Sequence, residues 1–211
     1  MFLLYQKKEK TFPLAVDIEG NLYYINADFK NILRIFEMLN DENIPENKKI
    51  NKLSEWFFKS CLPENIPRNT IADAFLDFLG MKKQNHDEQD IIEDEESERQ
   101  FCYNFDAEEI YASFLSEYSI DLIDIDFLHW HKFKILLGNL SPECAFKKKI
   151  ELRFMDLSSF HDRPDGGHKF TELARAKESV QLPVYIAETK QLEQLQEIKE
   201  FNEIWGKAGN N

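Results

Sequence analysis

Apolar residues recur in this chain in short runs at helical spacing, each cut off by a proline, a glycine or a capping residue. That limits the fold to helices of a few turns packed on one another. The densest such stretch is residues 101–140, FCYNFDAEEIYASFLSEYSIDLIDIDFLHWHKFKILLGNL. Ile110, Phe114 and Tyr118, with Tyr111 and Leu115 beside them, give one helix a broad apolar face. Asp106 as N-cap with Glu109 three positions on forms a capping-box pattern, and Phe105 is placed to staple Ile110. A second helix is expected to open among Asp124 and Asp126, acids that suit its positive end. Its Trp130, Phe133 and Leu137 share one side, and Gly138 closes it. Ser141-Pro142 reads as N-cap and first residue of a further helix through Phe146 and Ile150. Two helices joined by a short loop most simply pack as an antiparallel hairpin.

Upstream the pattern changes. Residues 14–18 and 22–25 alternate around the turn Glu19-Gly20-Asn21, which predicts a β-hairpin. Asn26 or Asp28 then caps a helix carrying Phe29, Ile32, Leu33 and Phe36. A second helix starts near Pro45 and buries Ile50, Leu53 and Phe57, with Pro63 and Pro67 beyond it as breakers. A third runs from about Arg68 to Leu79 with Ile71, Phe75 and Phe78 on one face and Gly80 as its stop. The fold class is therefore mainly α: an N-terminal β-hairpin, then short amphipathic helices in a bundle, with an acidic flexible linker. The expected domains are a hairpin plus three-helix unit at 1–80, the linker at 81–100, a helical unit at 101–183 and a C-terminal amphipathic helix at 184–211. That last helix carries Leu192, Leu195, Ile198 and Trp205 on one stripe.

The net charge of −13 argues against sequence-independent nucleic-acid binding, which needs cations to displace counterions. Eight acids lie between Asp87 and Glu98 with no Lys or Arg among them, so the folded parts are only mildly acidic. A run like that reads as a solvated tether. Cys61, Cys102 and Cys144 lie far apart with no CxxC pair, which reads as reduced, buried thiols in a reducing cytoplasm. The longest apolar runs are too short to span a bilayer, and Lys7-Lys8-Glu9-Lys10 interrupts any signal-peptide pattern.

Motifs that suggest chemistry weaken under inspection. His129 and His131 flank Trp130, but residues two apart on a helix diverge and cannot share a metal as an i, i+4 pair does. One is expected partly buried and the other exposed. His161 and His168, with Asp162 and Asp165, lie around the turn containing Gly166-Gly167 and have nothing to fix them as ligands. That turn also lacks the GxxxxGK[ST] pattern of a phosphate loop. Asp121, Asp124 and Asp126 lack the glycine of a calcium loop. Lys147-Lys148-Lys149 reads as a solvated helix face that can meet a helix C-terminus or the acidic linker. Ser113, Ser116 and Ser119 sit in no nucleophile elbow. The expectation is no enzyme, no metal and no cofactor.

The run FDAEEIYASFLSEYSIDL followed by LHWHKFKILLGNLS resembles the signature of the bacteriophage gene-product-15 family, from tailed phages and prophages. The matching positions are Asp106, Ile110, Tyr111, Phe114, Ile120, Asp121, Leu122, Leu128, His129, Trp130, Lys132 and Phe133. Tyr24-Ile25-Asn26 and Asp28-Phe29 carry the likeness upstream, and it extends over residues 12–183. It departs at His131, where a second aromatic is expected, and at Ser119, where glycine is usual. The resemblance implies a gene placed between those for the tail tube and the tape measure protein, the place of tail assembly chaperones.

The expected function is thus a non-enzymatic tail assembly protein of a siphophage or prophage, acting in the bacterial host cytoplasm as a chaperone of the tape measure protein. Its partners would be the tape measure or other tail proteins, with self-association possible and no nucleic acid or membrane. Tyr111, Phe114, Trp130, Phe133 and Leu137 are the candidate partner-binding or core residues. A structural tail component and an acidic DNA mimic that inhibits a host protein are the alternatives.

Overall fold

The structure, a computed structural model, describes residues 12–63, 65–80, 100–158 and 166–183. Among them one two-stranded antiparallel hairpin precedes seven helices, so the protein is mainly α. The chain forms two compact units that do not follow chain order. One gathers residues 12–80 with Phe127–Phe133, and the other gathers 100–126 with 134–183. The expected acidic linker and C-terminal helix lie outside the described residues.

In the first unit β1 (Ala15–Ile18) pairs with β2 (Asn21–Tyr24), Ala15 opposite Tyr24 and Ile18 opposite Asn21. The loop is therefore the two residues Glu19-Gly20, shorter than the sequence suggests. Both have positive φ, 53° and 82°, as the hairpin turn matching strand twist requires. Asp17 Oδ1 accepts from the Gly20 N–H at 2.8 Å and braces the turn. Alternation puts Val16, Ile18 and Tyr23 on the inner face, where the Tyr23 ring meets Phe58 edge-on.

Helix α1 (Phe29–Asn40) is capped by Asp28, whose side chain accepts from the Lys30 N–H. Phe29, Ile32, Ile35, Met38 and Leu39 are buried, while Leu33 and Phe36 are half-buried. The buried face is thus rotated from the stripe read in the sequence. Helix α2 (Glu46–Phe57) buries Ile50, Leu53 and Phe57. Helix α3 (Arg68–Leu79) ends at Gly80 in the left-handed conformation, φ 81°. α1 packs on α2, α2 on α3, and α3 against β1. At the centre the fully buried Phe57 meets Phe75 and Phe78, with ring centroids 5.0 and 5.4 Å away. Asn31 Nδ2 donates to the Asn26 and Trp56 carbonyls, and the Asn26 N–H donates to Phe57 O, so the hairpin is tied to the end of α2.

The second unit contains α4 (Ala107–Tyr118), α6 (Ala145–Phe154) and α7 (Gly166–Ser179). Helix α5 (Trp130–Gly138) contributes its residues from Lys134 onward to this unit and its first four to the other. α4 packs against α6 instead of forming a hairpin with its sequence neighbour α5. One cause is Ser113: its buried hydroxyl donates to Glu109 O and accepts the Phe146 N–H at 3.2 Å, so α4 caps the start of α6.

Three further expectations are corrected. Asp124 and Asp126 lie ahead of α5, not in its first turn. Asp121 Oδ1 accepts from the Ile123 and Asp124 N–H groups and closes a turn there, and the helix begins only at Trp130. Ser141-Pro142 form a turn before α6, and Cys144 is the cap, its Sγ accepting from the Lys147 N–H. Gly166 and Gly167 belong to the first turn of α7.

α4 closes at Ser119 with φ 53°, its N–H donating to Leu115 O and the Ile120 N–H to Phe114 O. This is the left-handed cap that glycine usually fills, occupied here by a residue whose Cβ resists it. Ser119→Gly is expected to raise stability by about 0.5–1 kcal/mol in urea denaturation. An unchanged or lower midpoint would show that the serine carries no strain.

Candidate functional site

The five residues singled out in the sequence are mostly interior. Phe114, Trp130, Phe133 and Leu137 are buried and Tyr111 is half-buried. In the first unit Phe133 stacks on Phe29 with centroids 4.7 Å apart, and Trp130 meets Phe36 edge-on at 5.5 Å. In the second, Phe114 packs edge-on against Tyr118, whose hydroxyl donates to Leu136 O. Tyr111 donates to Asp121 Oδ2 at 3.1 Å, and that bond raises the phenol pKa. Leu115 is exposed, so the apolar face of α4 is narrower than its sequence suggests.

Asp106 does not cap α4. Its side chain makes no bond to the helix start; it accepts from the Cys102 N–H and from both terminal nitrogens of Arg153, at 3.2 and 2.8 Å. Asp106 is fully buried and Arg153 is 3% exposed. The guanidinium also donates to Gln100 O at 2.6 Å and to Val180 O at 2.7 Å. Lys149 pairs with Asp106 at 3.1 Å and Glu109 at 2.8 Å, and its ammonium lies 4.8 Å from the centre of the Phe105 ring. Phe105 thus lies under cations, and Lys149 is not the solvated lysine its cluster suggests. Lys147 reaches Gly138 O at the end of α5, and Lys148 pairs with Glu143. Burial opposes ionisation of Asp106 most strongly. The bonds from Arg153, Cys102 and Lys149 together outweigh it and hold the carboxyl below its usual pKa. Lys149 is likewise opposed by burial and raised on balance by Glu109 and Asp106.

The sequence carried one sign of this clamp. Arg153 falls on the apolar stripe of α6, seven residues after the buried Phe146, where a hydrophobic side chain is expected.

In the first unit His129 precedes α5 and serves as its cap: Nδ1 accepts from the His131 N–H at 3.1 Å. That leaves the proton on Nε2, which donates to Pro13 O at 2.9 Å. The two imidazole centroids are 5.3 Å apart, so the argument that both lie on a helix and diverge does not hold. His131 is half-buried instead of exposed, edge-on to Phe78. Burial lowers the pKa of His129, with the Pro13 bond opposing the shift. Among the described residues no three His, Cys, Asp or Glu side chains converge as metal ligands, and His161 lies outside them. Cys102 and Cys144 are buried free thiols, while Cys61 is exposed, contrary to expectation. No helix among the described residues is long and apolar enough to cross a membrane.

Apolar surface is concentrated elsewhere. Leu22 is 72% and Tyr24 67% exposed on the outer face of the hairpin, with Leu14 also exposed beside β1. The sequence predicts this hairpin and gives its outer face no role. Yet of its outward positions, Ala15, Asp17, Leu22 and Tyr24, only Asp17 is charged. In the second unit Ile123 is 70% exposed.

Arg153→Met leaves a buried carboxylate without its main partner and is expected to cost about 3–5 kcal/mol. Adding Asp106→Leu should recover about 1–3 kcal/mol in a double-mutant cycle by urea denaturation; strict additivity would show that the two do not act as a pair. For His129 the folded-state pKa lies below the ordinary value of 6.5, so its contribution is complete above pH 6.5 and declines as pH falls through the folded pKa. The stability gap between wild type and His129→Asn should therefore shrink from pH 7.5 to pH 5; a constant gap would remove the histidine's protonation from the account.

Searches among curated proteins and among solved structures gave no match to the chain. The family model described as bacteriophage Gp15 protein matches residues 9–182. That span takes in the hairpin, the cap at Asp28, the capping His129 and both members of the Asp106–Arg153 pair. The chain belongs to the bacteriophage Gp15 protein family.

Proposed function

We propose that the protein is a tail assembly chaperone that holds the tape measure protein in the host cytoplasm, binding it without catalysis. The observation that carries this reading is the outer face of the hairpin. Leu22 and Tyr24 present large, mainly apolar side chains to solvent from adjacent β2 positions of like orientation. Such a surface suits the apolar stripe of a partner helix. A tape measure protein is a long apolar helical chain that needs cover until the tube forms around it, and family membership supplies the phage context.

Among the described residues, three buried polar side chains are engaged in structure. Asp106 is held by Arg153, His129 by Pro13 and His131, and Ser113 by Glu109 and Phe146. That favours a binding role.

Co-expression with the tape measure protein from the same phage should raise the soluble fraction of that protein and yield a complex on size exclusion. Leu22→Asp with Tyr24→Asp, both at solvated positions, should leave the fold intact and reduce the captured fraction at least tenfold. No complex with wild type would end the chaperone reading, and recovery of the protein from purified virions in stoichiometric amount would favour a structural tail component.

A further inference from the structure

A second surface of the first unit has a different character. On its α1–α2 face the guanidinium carbon of Arg34 lies 3.7 Å from the centre of the Trp56 ring, and the Lys52 ammonium lies 5.2 Å from it. Lys48 stands one turn before Lys52, which stands one turn before Trp56, so the three line one stripe of α2. Among the described residues no carboxylate comes within ion-pair distance of Arg34, Lys48 or Lys52, although the chain has 39 acids and 26 Lys or Arg. Glu37 and Glu55, on the same two helices, make no ion pair with them. The other lysines of note are used internally: Lys49 by Glu46, Lys149 by Asp106 and Glu109. Two uncompensated cations beside an aromatic ring, with a third one turn further along α2, are thus a local exception in an acidic protein.

We infer that this face docks an acidic helix of a partner protein, one presenting carboxylates four residues apart. A guanidinium stacked on an indole is held flat, and its N–H edge stays open to take a carboxylate with two parallel bonds. Lys48 and Lys52 are about 6 Å apart along the helix axis, the same rise that separates carboxylates at i and i+4 on a partner helix. The ring favours a peptide over single-stranded nucleic acid. Trp56 is half-buried and already carries a guanidinium, so it offers no open face for a stacked base. This surface is separate from the hairpin face, and its test does not depend on the tape measure protein.

The test is fluorescence anisotropy of a labelled alanine-rich helical peptide with glutamates at every fourth position, titrated with the full-length protein. Binding is expected to weaken at least tenfold when salt rises from 50 to 300 mM, and to vanish for the peptide with glutamine at those positions. Arg34→Ala with Lys52→Ala should lower affinity at least tenfold with an unchanged melting temperature. Arg34→Lys should lower it several-fold, because lysine keeps the charge but not the planar fork. Equal affinity for wild type and the double variant would overturn the proposal. So would tighter binding of a single-stranded RNA of equal charge, which would assign the patch to polyanions. Binding that appears only after deletion of residues 81–99 would assign it to the chain's own acidic run and overturn the partner reading.

Discussion

The buried pair of Asp106 and Arg153 holds the second unit together. One guanidinium reaches the carboxylate at the start of α4, the Gln100 carbonyl before it and the Val180 carbonyl after α7. Two stretches far apart in sequence, residues 100–106 and the residue that follows α7, therefore converge on the last turn of α6. A salt bridge taken out of water gains little by itself, because desolvating two charges offsets most of their attraction. Its effect here is to make alternatives costly: any arrangement that separates the two leaves an unpaired charge in the interior. Lys149 and Glu109 extend the pair toward the surface, so the charge is delivered to solvent in steps.

The first unit solves a related problem with hydrogen bonds instead of charge. The segment Phe127–Phe133 comes from a distant part of the chain and is sewn to the start of α1. The Phe29 N–H donates to Leu128 O, the Trp130 N–H to Ala27 O, and the Leu128 N–H to Asp28 Oδ2. Asp28 thus caps α1 and anchors the inserted segment with different oxygens of one carboxylate. His129 repeats the economy, capping α5 through one nitrogen and fixing Pro13 through the other. Satisfying the backbone at these helix starts is what allows Trp130 and Phe133 to enter the core.

These features explain what could be read from the chain beforehand. Helix existence followed from local signals. Asp28, Gly80 and the spacing of Ile50, Leu53 and Phe57 each act within a turn or two of their own position, and each stands where the spacing puts it. The left-handed stop at Ser119 is less legible, because serine stands where glycine usually fills such a cap. Roles set by distant partners did not follow. Asp106 has the position of a capping residue, yet Arg153, 47 residues away, takes its carboxylate. The assignment of Asp124 and Asp126 to a helix failed because Asp121 offers the backbone a turn first. The sequence places Ser113 in no nucleophile elbow but does not show its part in capping α6, since that part exists only once α4 lies on α6.

The candidate site moved for the same reason. An aromatic cluster in a sequence marks a place where much apolar area must leave water, but it does not say whether the covering surface belongs to the same chain. Trp130, Phe133 and Phe114 find that cover within their own units. Leu22 and Tyr24 remain exposed, because a two-stranded sheet has two faces and, among the described residues, the helices of its unit pack on the other one. The inner face, through Ile18 and Tyr23, fixes the hairpin to the body of the unit and thereby holds the outer face in place. A partner that docks there would meet side chains already ordered by the strand pairing, with little left to immobilise on binding.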